Sequence, residues 1–261
     1  TYITSPTFVH YDRDVIRQHM FGNFQEMLVS VAQSPAMLYY LDNHSNTGSD
    51  PNENFARELF ELHTLGRESY LGVLDIDDPS LYDSAGKPVG YVDDWVYGAT
   101  TCFTGWRVDE IEGRYRFDVS LHFPYTTFVL GETLPSFQGE RDGYRVLELL
   151  ARHPGTARHI CTKLCRRLIA DDPPESIVQR AVDVFMANLD SADQLTQVVR
   201  TILLSDEFRN TWGKKIKRPF EHLISMVRAL QLDLAPVTPD LFWRYDICGQ
   251  PLFGRETPDG Y

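Results

Sequence analysis

Two carboxylates three residues apart, Glu58 and Glu61, are the side chains of this sequence best placed to do chemistry. On a helix, with about 100° between successive residues, they gather on one side together with Asn54. Phe55, Leu59 and Leu62 form an apolar stripe that Ala56 and Phe60 widen, and Glu58 borders it. Two carboxylates held close at a desolvated edge repel, which raises the pKa of one. Such a pair can act as general acid and base in a hydrolysis, or as ligands for a cation. Asn54 would hold the ligand or a water, and Arg57, His63 and, farther along, His122 complete the candidate ligand-binding set.

A structural reading of the same residues stands beside this one. Glu53, Arg57 and Glu61 make an i, i+4 ladder, worth a few tenths of a kcal/mol per pair. His63 falls between Ala56 and Phe60 on the apolar side, where a histidine donates to a nearby carbonyl. A divalent metal is compatible with the carboxylates but not required by them. Helix-bundle metal sites place Glu-x-x-His on two helices. His63 follows Glu61 by two positions and Glu58 by five, so a second helix would have to supply His10, His19, His44 or His122.

The elements that must position these groups read as helices. Apolar spacing is helical from Asp12 to Leu41, interrupted at Gly22 and Pro35, with Ser34-Pro35 as a start signal. Asp50 as cap, Pro51 at the first position and Glu53 three residues after the cap open the helix that carries the carboxylates, and Gly66 ends it. The acidic stretch from Ser69 to Val89 lacks the spacing and glycine of a calcium loop and reads as solvated loop. Asp93–Phe103 is expected to be helical. Arg114–Asp118 and Thr127–Leu130 alternate like strands and predict a small hairpin. Helices follow at about 144–152, 154–169, 174–189, 192–204 and 219–230, and the Pro- and Gly-rich stretch from Pro236 to Tyr261 is expected to wrap the surface.

Other groups are weaker candidates. His153, Arg158, His159, Lys163, Arg166 and Arg167 share a cationic helix, which either complements the helix dipole or binds an anion. Lys214-Lys215-Ile216-Lys217-Arg218 is a basic run that reads as a solvated loop or a dock for an acidic glycan or partner. Trp95, Trp106, Trp212 and Trp243 could stack on sugars, although large aromatics more often fill a core. Cys102, Cys161, Cys165 and Cys248 form no CxxC pair and read mainly as buried core residues, with disulfides or a metal as alternatives. Nucleotide-binding and serine-hydrolase signatures are absent.

The 261 residues, 43% hydrophobic and 24% charged, suit one large domain or two small ones. A net charge of −12 argues against nucleic acid as a partner, and no apolar run reaches the roughly 18 residues of a membrane span. The chain starts at Thr1 without an initiator Met or a signal-like segment, so it is expected to be the C-terminal part of a longer protein.

The run Asn52-Glu53-Asn54-Phe55-Ala56-Arg57-Glu58-Leu59-Phe60-Glu61-Leu62-His63-Thr64-Leu65-Gly66 closely resembles the signature of the bacterial family called domain of unknown function 1800. Other stretches fit in order: Pro35-Ala36-Met37-Leu38-Tyr39-Tyr40-Leu41-Asp42, Thr104-Gly105-Trp106, His153-Pro154-Gly155-Thr156, Gly249-Gln250-Pro251-Leu252-Phe253-Gly254 and Thr257-Pro258-Asp259-Gly260-Tyr261. The resemblance implies a periplasmic or extracellular setting and an exported, sulfatase-like protein as partner. It implies no activity. After His122 the family shows an acidic residue and a lysine, where this chain has Phe123-Pro124-Tyr125.

The expectation is therefore a mainly α, irregular multi-helix domain over residues 1–261 with a small β-hairpin near 114–131, divisible at most into a motif-bearing part, 1–140, and a helical part, 141–261. Functionally it is either a hydrolase of a glycan or other envelope polymer with Glu58 and Glu61 as acid and base, a non-catalytic helical scaffold for the exported partner, or a metal-binding protein.

Overall fold

The computed structural model of the protein describes residues 7–233 and 239–250. Its architecture is mainly α, as the apolar spacing requires. The N-terminal helical stretch comprises α1 (Phe8–His10) and α2 (Arg17–His19), joined by a π-helical segment, Tyr11–Ile16. Next, α3 (Phe24–Ala32) starts at Asn23, whose side chain accepts from the amides of Gln25 and Glu26. α4 (Pro35–Tyr40) has its proline in the first turn, as expected.

The motif helix begins later than the sequence suggests. α5 spans Asn54–Glu58 and passes into a π-helical segment, Leu59–His63. Asp50 does not cap it. The Asp50 amide turns back to the Thr47 carbonyl and hydroxyl, closing a tight turn. The Asn52 amide is taken by the Asn46 side chain, and no helical turn forms before Asn54. Gly66 is the stop. Its φ is +86° and its amide donates to Phe60 O, a backbone geometry open to glycine.

After the acidic loop, pinned by Asx turns at Asp75, Asp78 and Asp83, comes α6 (Asp93–Cys102). Two small antiparallel hairpins follow. β1 (Trp106–Asp109) pairs with β2 (Arg114–Phe117), and β3 (Thr127–Val129) with β4 (Glu132–Leu134). The two expected strands thus do not pair with each other. Each finds a nearer partner, because Asp109 Oδ1 closes a turn on Ile111 and Glu112, and Leu130-Gly131, both at positive φ, make the two-residue turn favoured between twisted strands.

The remaining helices are α7 (Arg141–Ala151), α8 (Pro154–Leu168), α9 (Glu175–Ala187), α10 (Gln194–Leu203), α11 (Asp206–Asn210), α12 (Pro219–Ala229) and α13 (Pro239–Ile247). α13 corrects the expectation of an irregular tail from Pro236, because Pro239 opens a helix there. The family-like stretch Thr257–Tyr261, and Pro251 to Gly254 before it, lie outside the described residues.

One cluster of buried side chains runs from Phe24 to Ile202 and takes in Phe60, Trp95, Trp106, Leu147, Cys161 and Phe185. It joins the motif-bearing part to the helices beyond residue 141. Polar ties reinforce the junction. The Asn23 amide group donates to Leu189 O and Ser191 O, and the Phe24 N–H donates to the buried Gln194 side chain. Cys102, Cys161 and Cys165 are free thiols in the core, and Cys248 is exposed.

Candidate functional site

The π segment decides where the motif residues point. A segment bonded i to i+5 carries one residue more per turn than an α-helix, and such segments recur at functional sites. The apolar stripe accordingly ends on buried Leu65, while Leu62 is half-buried. Carbonyls freed by the looser turn are taken up by side chains. The Thr64 hydroxyl donates to Leu59 O at 2.7 Å, and His63 Nδ1 lies 3.0 Å from Glu58 O. The Leu62 carbonyl is met from α8 by His159 Nε2 at 3.2 Å and Lys163 Nζ at 3.3 Å.

The candidate residues divide. Asn54 does not reach toward a ligand; its side-chain amide donates to Leu41 O at 3.3 Å. Arg57 bridges Glu53, at 3.3 Å, and Asp93 at the start of α6, at 3.0 Å. Half of the expected ladder forms, and its other cation contact leaves the helix. Glu58 is half-buried. Glu61 keeps 17% of its side chain exposed, and its nearest described cation is Arg67 at 4.0 Å. Beside Glu61 stands Tyr91, whose hydroxyl is buried without a hydrogen-bond partner among the described residues. Burial, and secondly the Glu61 charge, push the Tyr91 phenol well above its ordinary value. Tyr70 stacks at a tilt on Tyr91, with ring centroids 5.4 Å apart.

His63 is half-buried in the fold. Burial lowers its pKa, with a smaller contribution from Lys163 and His159, so its neutral ring donates to Glu58 O. His122 belongs to another cluster. It is buried between the hairpins and α7, with Nε2 3.1 Å from Asp142 Oδ2 and Nδ1 2.9 Å from Thr104 O. The described contacts of His122 involve none of the polar motif residues. Among the described residues no group of three or more His, Cys, Asp or Glu side chains could hold a metal ion.

Several neighbours escape sequence reasoning. Tyr70 lies in the long loop after the motif and Tyr91 and Asp93 lie beyond it, and no periodicity connects them to the motif. Asp142 did leave a signal, since it precedes Val146 by four positions on the buried face of α7, where an acid calls for a partner.

Past Leu65 the surface opens into a hollow of about 580 Å³. Leu65, Glu68, Ser69 and Val89 line one side, and α8 from Pro154 to Arg166 lines the other. Glu58 and Glu61 do not line it.

The model of a family described as "Protein of unknown function (DUF1800)" matches residues 3–261. No curated protein and no solved structure matches the chain.

Proposed function

We infer, from the premise that the chain belongs to the DUF1800 family of proteins of unknown function, that it is a non-catalytic helical scaffold holding an exported partner at the cell envelope. One observation carries the reading: apolar surface remains after the core is made. α12 is amphipathic, yet none of its residues is buried. Ile224 and Met226 on it and Leu230 at its C-terminal end stay exposed, and nearby in sequence Trp212 is 93% and Ile216 83% exposed. Apolar faces of this kind mark contacts with other proteins. The motif's polar groups support the reading from the other side, because Asn54, Arg57 and His63 are engaged in holding the fold. The sulfatase-like identity of the partner and the envelope setting come from the family resemblance.

A hydrolase is the second reading, favoured by one specific juxtaposition. Glu61, largely buried within the π segment, stands beside the Tyr91 hydroxyl, which has no hydrogen-bond partner among the described residues, and a carboxylate beside a phenol can pass a proton. No metal is needed for that chemistry.

One experiment separates the two. Wild type, Ile224→Asp/Leu230→Asp and Glu58→Gln/Glu61→Gln are each mixed with the sulfatase-like protein and sized by light scattering. Each is also incubated with acidic envelope polysaccharide while product release is followed. The scaffold reading expects a complex with wild type and with the Gln pair, loss of the complex with the Asp pair, and no product from any protein. Product from wild type that disappears in the Gln pair overturns it in favour of the hydrolase. Absence of both complex and product also overturns it.

A further inference from the structure

We propose that the hollow between the end of the motif and α8 binds a small molecule bearing an oxyanion, a carboxylate or a phosphate, through Lys163 and Arg166. In a chain with a net charge of −12, cations are mostly answered by nearby acids. Around α8, Arg158 is held by Glu175 at 2.5 and 2.8 Å, Arg167 pairs with Glu221, and Lys215 lies 2.7 Å from Asp171. Lys163 and Arg166 differ. Both line the hollow, they stand three apart and so on one helix face, and neither forms an ion pair among the described residues.

The lysine is already aimed. Its ammonium donates to Leu62 O at 3.3 Å, which uses one of three donors and leaves two for a ligand. The arginine adds a fork suited to two oxygens of one carboxylate or phosphate. One acid lines the hollow, Glu68, and its side chain is 77% exposed, so two cations face a single carboxylate at the rim.

The rest of the hollow suits an uncharged body. Leu65, Val89 and Pro154 give it apolar wall, and its volume of about 580 Å³ falls within the range of about 300–1,000 Å³ typical of small-molecule sites. His159 supplies a directed acceptor. Burial lowers its pKa, and its Nε2–H is given to Leu62 O, so Nδ1 is left to accept a hydroxyl. Gly66 permits that placement, because a Cβ there would lie 2.4 Å from His159 Nδ1. The ligand class is therefore a hydroxylated acid the size of a sugar ring.

The test is calorimetric titration of the whole chain with glucuronate, with glucose 1-phosphate and with glucose. Saturable binding of at least one acid is expected, with none for glucose, and the acid that binds identifies the oxyanion. Lys163→Gln/Arg166→Gln should weaken that binding by about tenfold or more, and added salt should weaken it in wild type. Both side chains are exposed and His159 still reaches Leu62 O in the variant, so it should melt within a few degrees of wild type. If it fails to fold, the ring protons of His159 in wild type serve instead, and they should shift on adding the acid. Failure of both acids to bind, equal binding of glucose, unchanged affinity in the variant, or a static His159 resonance each overturns the proposal. The scaffold reading would survive that failure, since it rests on α12.

Discussion

His159 on α8 donates from Nε2 to the backbone carbonyl of Leu62, 3.2 Å away and 97 positions earlier in the chain. This bond fastens the loosened end of the motif to the second half of the molecule. Replacing His159 with Ala should cost about 1–2 kcal/mol of unfolding free energy in urea titration, because Lys163 still reaches the same oxygen. His159→Ala/Lys163→Met strips the carbonyl of both donors, and its loss should exceed that of either single variant.

Gly66→Ala should be worse than a routine surface change. The residue has φ +86° and ψ +153°, a region left almost entirely to glycine at a cost of about 1–3 kcal/mol for others. The new methyl would also meet the His159 ring at 2.4 Å. Adding His159→Ala should relieve the contact but not the backbone cost, so the double variant should unfold at a denaturant concentration between those of Gly66→Ala and His159→Ala.

Removing one member of the buried His122–Asp142 pair leaves the other without its partner. His122→Ala or Asp142→Asn should each lose about 2–4 kcal/mol. The double variant should lose less than the sum of the two, the sign of direct coupling. Additive losses in chemical denaturation would show that the two side chains act independently.

Acid should destabilise the fold through its half-buried imidazoles. Burial lowers the pKa of His63, His153 and His159 below the ordinary value. The unfolded chain therefore takes up protons first as the pH falls. Their stabilising contribution is complete above the unfolded histidine value of about 6.5 and is lost as the pH drops from there toward the folded values. The Tm should be lower at mildly acidic than at neutral pH, and His63→Gln should flatten that slope.

Thiol labelling should report the core directly. Burial pushes Cys161 up to about 12 and Cys165 up to about 11, and raises Cys102 further still. At neutral pH iodoacetamide should modify exposed Cys248 in the native chain and reach the other three only after denaturation. Mass spectrometry of native and unfolded samples checks this.

Much of the fold could be read from residue spacing. α6 to α10 and α12 start and stop within about three positions of their expected ends, because proline, glycine and apolar repeats act locally, whereas α11 and α13 were not expected. The motif was also legible as a helix with Phe55, Ala56, Leu59 and Phe60 inward. Its exact course was not. An even 100° step placed Leu62 on the stripe, but the π segment inserts a residue and shifts burial to Leu65. The strand segments were visible while their partners were not, since pairing was fixed by the turns at Asp109 and at Leu130-Gly131. The surroundings of the site were the least accessible. Arg57 meets Asp93, and Leu62 meets His159, through folding of segments that carry no mutual sequence signal.

The wide turn at Leu59–His63 makes the number of residues between Arg57 and Gly66 a fixed quantity. Deleting any one of them while the wide turn persists would rotate everything upstream by about 100° relative to everything downstream. The arginine would then swing off α6 while the glycine stayed wedged against α8. Homologous chains should therefore tolerate exchange of side chains within this stretch far more readily than any change in its length.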